Sequence, residues 1–356
     1  MYQLKGVERL LKHFHLFLCL LMLLIPVVDQ TLVVAAAPTV TPRPTLTLRP
    51  TKTPRPTATP TITPTPTNTP LPITGKLAFA AGRVVGQDLT YEIYTMDADG
   101  SNLTQLTHLK RADGPVWSRD GKQIGFLLWN VGRDAADFMV MDADGSNQVK
   151  RFRFVSPAAE LTLSPDGKHL LYEYQPGGAG GLANIWISNP DGTNPAHLTF
   201  SMDGSFNPSW SPDSQNIVYG TNTGLYKMQA NGQNQILLVD RPLLFESAPD
   251  WSPDGVHILF RALESSTYNL YMIDADGKNM TQITHFKKSE GLIAKWSPDG
   301  KHIAFYGSLD TKQLTLQIYV MEADGSHLVQ VTHDEAVSIY DVQWMPQQIQ
   351  SPTPAS

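Results

Sequence analysis

The sequence predicts an all-β fold: a six-bladed β-propeller of four-stranded antiparallel blades, closed by pairing of its N-terminal and C-terminal strands. Three observations predict it. The first is a pair of turn motifs that recurs down the chain. WSPDG-type turns stand at Trp117–Gly121, Leu163–Gly167, Trp210–Ser214, Trp251–Gly255 and Trp296–Gly300, with a truncated copy at Trp344–Pro346. DADG-type turns stand at Asp97–Gly100, Asp142–Gly145, Asn189–Gly192, Gln229–Gly232, Asp274–Gly277 and Glu322–Gly325. The second is the period. The closing glycines of the DADG series fall at steps of 45, 47, 40, 45 and 48 residues, and several short strands in a unit of about 40–45 residues mark a propeller blade. The third lies at the ends. Gly75–Phe79 matches Gly300–Phe305 without a tryptophan turn before it, and Tyr340–Trp344 matches a strand entering such a turn with nothing after it. The first unit therefore lacks one strand, and the last unit is only that strand. Joining them gives six complete blades with no open sheet edge.

Each element follows from local chemistry. In Ser252-Pro253-Asp254-Gly255, proline presets φ for a type I turn, aspartate accepts from nearby backbone N–H groups, and glycine takes the left-handed conformation that closes a bulged hairpin. The serine before proline is held extended, as at a strand end. An alternating strand follows each such turn (Lys122–Phe126, His169–Tyr172, Asn216–Tyr219, His257–Phe260, His302–Phe305), another precedes each DADG-type turn, and a third ends in Leu-Thr or Ile-Thr. The strand entering the tryptophan is the fourth.

Residues 1–37 join a basic start (Lys5, Arg9, Lys12) to the apolar run 14–28. That is the pattern of a secretory signal, and the run is short beside the roughly 20 residues of a spanning helix. Two readings stay open, a cleaved signal or an uncleaved anchor in an apolar N-terminal helix, and both place the remainder outside the cytoplasm. Residues 38–74 hold 14 threonines and 11 prolines, a disordered, partly polyproline II linker with a reach of roughly 115 Å. The propeller is expected over 75–346 and a disordered tail over 347–356. Cys19 is the single cysteine, so the repeat region has neither a disulfide nor a thiol nucleophile. Seven of the 27 Lys and Arg, but two of the 33 Asp and Glu, precede residue 75, leaving the repeat region at about −11. That balance argues against nucleic acid as a partner.

Taken together, WSPDGK, IAF, the IYxMDADG pattern and the Leu-Thr pair resemble the repeats of the TolB-type propellers, PD-type relatives of WD repeats. The resemblance spans 75–346. The WD dipeptide is absent, and an apolar segment with a Thr/Pro stalk stands where TolB has its α/β domain. The resemblance implies a six-bladed disc that binds proteins at its channel mouth, or that accompanies a hydrolase domain.

Asp113, Glu246 and Glu290 lie four to six residues before their tryptophans, in loops leading to the innermost strands, and are the candidate acidic rim of a channel mouth. The tryptophans at 117, 210, 251, 296 and 344 read as packing between blades, with Leu163 in their place in one blade. The pairs Asp97/Asp99, Asp142/Asp144 and Asp274/Asp276 read as turn caps, because a calcium loop needs more oxygen ligands. His108, His285 and His333 share a repeat position, but blades about 10 Å apart cannot bring them to zinc bonds of about 2 Å. No nucleophile elbow, phosphate loop or HExxH motif occurs, and Gly177–Gly181 reads as a flexible loop. The expectation is an extracytoplasmic, monomeric, non-enzymatic scaffold without cofactor or metal, binding a protein, peptide or glycan, with membrane contact through an uncleaved N-terminal segment. The alternatives are a propeller-based hydrolase or lyase of the cell envelope, or a metal-dependent binding module.

Overall fold

A computed structural model describes residues 73–85, 88–176, 182–240, 248–309, 315–334 and 337–346. The expectations for the N-terminal segment and stalk up to residue 72, the Gly177–Gly181 loop, Glu246 and the tail 347–356 lie outside the described residues.

Within them the chain is strands and turns. The first blade's strands are β1 (Lys76–Val85), β2 (Asp88–Asp97) and β3 (Thr104–Gln105). Next come β4 (Ala112–Trp117), β5 (Gln123–Trp129), β6 (Ala136–Asp142) and β7 (Val149–Phe154), then β8 (Ala158–Leu163), β9 (Leu170–Tyr174), β10 (Asn184–Ser188) and β11 (Ala196–His197). They are followed by β12 (Phe206–Trp210), β13 (Asn216–Thr221), β14 (Gly224–Gln229) and β15 (Ile236–Asp240), and by β16 (Asp250–Trp251), β17 (His257–Glu264), β18 (Thr267–Asp274) and β19 (Thr281–Gln282). The last are β20 (Glu290–Trp296), β21 (His302–Ser308), β22 (Gln317–Glu322), β23 (Val329–Gln330) and β24 (Val337–Trp344).

These strands form six four-stranded sheets. Five take four consecutive strands each, and blade I has the order β24-β1-β2-β3. The closure expected from the unmatched ends is therefore present. β1 runs antiparallel to β24 with Leu77 opposite Trp344 and Ala81 opposite Ile339, and Met345 N donates to Lys76 O at 2.8 Å. The innermost strands touch in a ring, β24 to β4, β8, β12, β16 and β20, then back to β24. Numbering the blades I to VI from this closing sheet, β4, β8, β12, β16 and β20 begin blades II to VI.

The sequence builds this disc from its turns. In all five WSPDG-type turns the serine hydroxyl donates to the aspartate, at 2.8 Å for Ser118–Asp120 and 2.6 Å for Ser164–Asp166, Ser211–Asp213, Ser252–Asp254 and Ser297–Asp299. The same aspartate Oδ1 accepts the N–H two residues on, as at Lys122 and Val256. The closing glycines have φ near 65–75° (Gly121, Gly167, Gly255, Gly300). The DADG-type turns close likewise: Asp99 Oδ1 accepts from Ser101 N and Oγ at 2.9 and 2.6 Å. These aspartates are turn caps.

The Leu-Thr pairs have their own role. Thr107, Thr199, Thr284 and Thr332 each accept, through Oγ1, the N–H of the first core residue of the neighbouring strand (Ile93, Ile185, Leu270, Ile318) at 2.8–3.0 Å. A backbone donor that the two-residue outer strand leaves without a ladder partner is thus satisfied inside the blade.

The core lies between blades. Each of six apolar clusters joins two neighbouring sheets, as Val218, Leu225 and Val239 of blade IV meet Trp251, Phe260 and Ile273 of blade V. The tryptophans at 117, 210, 251, 296 and 344 are all buried in these seams. In the II–III seam Leu163 stands at the turn position instead, Trp129 and Trp186 pack from elsewhere, and a train of rings fills the space: Phe138, Phe152, Phe154 and Tyr172 follow one another with centroids 5.0–5.1 Å apart.

Candidate functional site: the axial channel

Strands alternate in direction, so the WSPDG-type and DADG-type turns emerge at one end of the disc. The loops between second and third strands, and the blade-to-blade links, emerge at the other. Asp113, at the start of β4, belongs to this second end.

The innermost segments are not regular there. Three residues before the tryptophan position, five blades place a residue in the left-handed region: Gly114 (φ 59°), Glu160 (50°), Asn207 (51°), Ala248 (38°) and Asp341 (51°). In blade VI, Gly291 (82°) takes this conformation slightly earlier. Pairing slips at the same places, between Asp113 and Val116 and between Ala159 and Thr162. Left-handed backbone costs a non-glycine residue roughly 1–2 kcal/mol. Glutamate at 160 and aspartate at 341 hold it nonetheless, as do Asn207 and Ala248.

One linked set of side chains draws on all six innermost strands: Asp341 (I) meets Asp113 (II), Glu160 (III) and Lys295 (VI), and Asp250 (V) meets both Lys295 and Ser209 (IV). Asp341 hydrogen-bonds Asp113 and feels the charges of Glu160 and Lys295. Burial pushes its carboxyl well above the ordinary carboxylate range, repulsion from Glu160 and Asp113 adds to this, and Lys295 offsets part of it. Lys295 Nζ lies 3.4 Å from Asp250 Oδ1, both side chains being largely buried. Asp250 Oδ2 also accepts Trp296 N at 2.9 Å, and its Oδ1 accepts Ser209 Oγ at 3.3 Å. Burial raises the Asp250 pKa, against the opposing pull of Lys295 and these donors. Lys295 thus acts on both Asp250 and Asp341. Asp341, Glu160 and Asp113 repel one another, and like charges this close do not all ionise freely.

Tyrosines flank the acids at the same end. Tyr91 and Tyr340 lie with ring centroids 5.5 Å apart, and the Arg133 guanidinium sits 4.4 Å above the Tyr91 ring. Burial is the first cause raising both phenols, and Asp113 raises both further. The mouth therefore joins acids, phenols and one guanidinium over blades I and II.

Of the residues singled out from the sequence, Asp113 enters this cluster. Its Oδ1 also accepts Gly114 N at 3.0 Å. Glu290 is exposed at the first position of β20, opposite Ser308, and Glu246 lies outside the described residues. Glu160, Asp250, Lys295 and Asp341 were missed. A signal existed: Glu160, Asn207 and Asp341 all stand three residues before a tryptophan or its substitute. His108, His285 and His333 are exposed, and among the described residues no group of three or more His, Cys, Asp or Glu is arranged to hold a metal ion.

A family model described as the TolB beta propeller domain matches residues 72–241 and 183–349. Among solved structures, TolB from Acinetobacter baumannii superposes with a TM-score of 0.65 at 16% identity, over 77% of this chain and 67% of that one. A putative TolB from Agrobacterium tumefaciens gives 0.58 at 17% identity, over 77% and 100%. The β-propeller domain of the Trilobed protease from Pyrococcus furiosus, described as having an open velcro topology, gives 0.51 at 12% identity, over 73% and 93%. At these identities the likeness is one of fold. No curated protein matches the chain.

Proposed function

The chain belongs to the TolB β-propeller family, and from that premise we propose that it is an extracytoplasmic, non-enzymatic binding scaffold, exported or held at the membrane by its N-terminal segment. Its channel mouth takes a basic segment of a protein or peptide partner. The observation that carries this is the cluster of Asp113, Glu160, Asp250 and Asp341 with Lys295 on the innermost strands. A lysine or arginine side chain placed there lowers the repulsion between carboxylates and gains charge-assisted hydrogen bonds. Because the cluster lies within the channel, its field is less screened by salt than that of surface charge.

The test is affinity capture from a cell-envelope extract with the full chain, run beside the Asp113→Asn/Glu160→Gln double variant. The reading expects a partner retained by the wild type and lost by the variant. A partner retained equally by both contradicts it.

One observation favours a second reading. Asp113 and Asp341 share a hydrogen bond and repel one another, which raises the Asp341 carboxyl, the arrangement of paired-carboxyl acid–base sites. In that reading the propeller is a hydrolase or lyase of the cell envelope. Turnover of a peptide or polysaccharide panel that Asp341→Asn abolishes would replace the scaffold reading with it.

A further inference from the structure

A second site lies on the flank of blade IV, away from the axial cluster. The link from β11 to β12 carries Phe200, Ser201 and Asp203 over the sheet of blade IV, where Tyr219, Thr221, Thr223, Tyr226 and Gln235 complete a cleft of about 340 Å³. That volume falls within the range of small-molecule sites, about 300–1,000 Å³. Phe200 is 77% exposed and Met202 beside it 88% exposed. Both stand beside the cleft, with Phe200 on its lining. Phe200 is also held in place: its ring lies 4.1 Å from that of His197, which stacks on Trp186 at 4.6 Å. The floor is equally fixed. Tyr219 stacks on Tyr226 at 5.8 Å with its hydroxyl on Gln235 Oε1 at 3.0 Å, and Thr221 and Thr223 share a hydroxyl contact at 3.0 Å.

We propose that this cleft is a saccharide-binding site. Hydroxyls from Ser201, Thr223 and Tyr226 both donate and accept, matching a ligand whose own groups do both. The exposed carboxylate of Asp203 accepts from ligand hydroxyls, and the open Phe200 ring offers a flat apolar surface to the C–H face of a sugar. A small cationic ligand carries too few hydroxyls to pair with that wall as a saccharide does. The site shares no residue with the channel mouth, so the inference stands apart from the reading given above, and loss at one site with retention at the other tells the two apart.

The test is ligand-observed NMR and calorimetry on the full chain with cellobiose, N,N′-diacetylchitobiose and maltotriose, and with choline and lysine methyl ester as cationic arms. At least one saccharide is expected to bind, with Phe200→Ala and Asp203→Asn each weakening it about tenfold or more and neither moving the melting temperature, since both residues are exposed. Binding by none of the three saccharides, binding of the cationic probes instead, or saccharide binding that both variants leave unchanged would each overturn the assignment.

Discussion

Trp344→Ala probes the seam where the chain closes on itself. Trp344 is 7% exposed and packs in the I–VI core with Leu77, Phe79, Ile293 and Val320. A Cβ placed on Gly75 would stand 3.1 Å from its ring. Its indole N–H donates to Lys295 O at 3.1 Å, tying blade I to blade VI. Truncating a buried tryptophan costs about 3–5 kcal/mol, of which the hydrogen bond supplies about 1 kcal/mol. Trp344→Ala should therefore lower unfolding free energy by about 3–5 kcal/mol, and Trp344→Phe, which keeps most of the apolar contact, by about 1–2 kcal/mol. The control is Trp117→Ala in the continuous I–II seam, equally buried. Equilibrium urea unfolding followed by circular dichroism measures all three, with an unchanged denaturant slope confirming comparable end states. If Trp344→Ala costs less than about 1 kcal/mol while Trp117→Ala costs several, the closing strand bears no load and the reasoning fails.

Three further predictions follow from the same structure. Thr107→Val removes a fully buried hydroxyl that accepts Ile93 N and donates to Glu92 Oε2 at 2.6 Å; leaving those groups unsatisfied should cost about 1–3 kcal/mol in urea unfolding. Asp341→Asn should raise the melting temperature at pH 7. A carboxyl whose folded pKa is raised well above 3.8 costs stability once it must ionise, so the variant's advantage should shrink as pH falls from neutrality through that raised value and be gone below the ordinary 3.8. Asparagine also tolerates the left-handed backbone. The turn aspartates work with the opposite sign. The Ser164 hydroxyl, first among the causes, holds Asp166 down at about 2, and the hydroxyls of Ser118, Ser211 and Ser252 hold Asp120, Asp213 and Asp254 low. Their stabilisation is present above the ordinary value of 3.8 and is lost as pH falls towards 2. Circular dichroism should show acid unfolding in that window, and Ser164→Ala should move the Asp166 titration, read by carboxyl-carbon NMR, back towards 3.8.

The sequence made the disc legible because its determinants are local. A proline, an aspartate and a glycine at fixed offsets specify each hairpin, and the two unmatched half-units at Gly75 and Trp344 imply one another. The axial site was only partly legible because it is assembled from six distant segments. Asp113 was found from its place before a tryptophan. Glu160 and Asp341 were not, since regular strand alternation assigns their side chains to a seam, and only the bulge at each position gathers them at the axis. Asp250 and Lys295, next to their tryptophans in sequence, read as ordinary strand residues until the ring brings Nζ within 3.4 Å of Oδ1. Glu290 shows the converse: its offset suggests the mouth, but as the exposed first residue of β20 it remains at the surface.

Amide hydrogen exchange along β1 tests most directly that Lys76–Val85 is an interior strand, bonded to β2 on one side and to β24 on the other. Closure predicts slow exchange at the N–H groups facing each neighbour, to the same degree as in the interior strand β21 of blade VI. Rapid exchange at every second amide of β1, the mark of a bare edge, would contradict it.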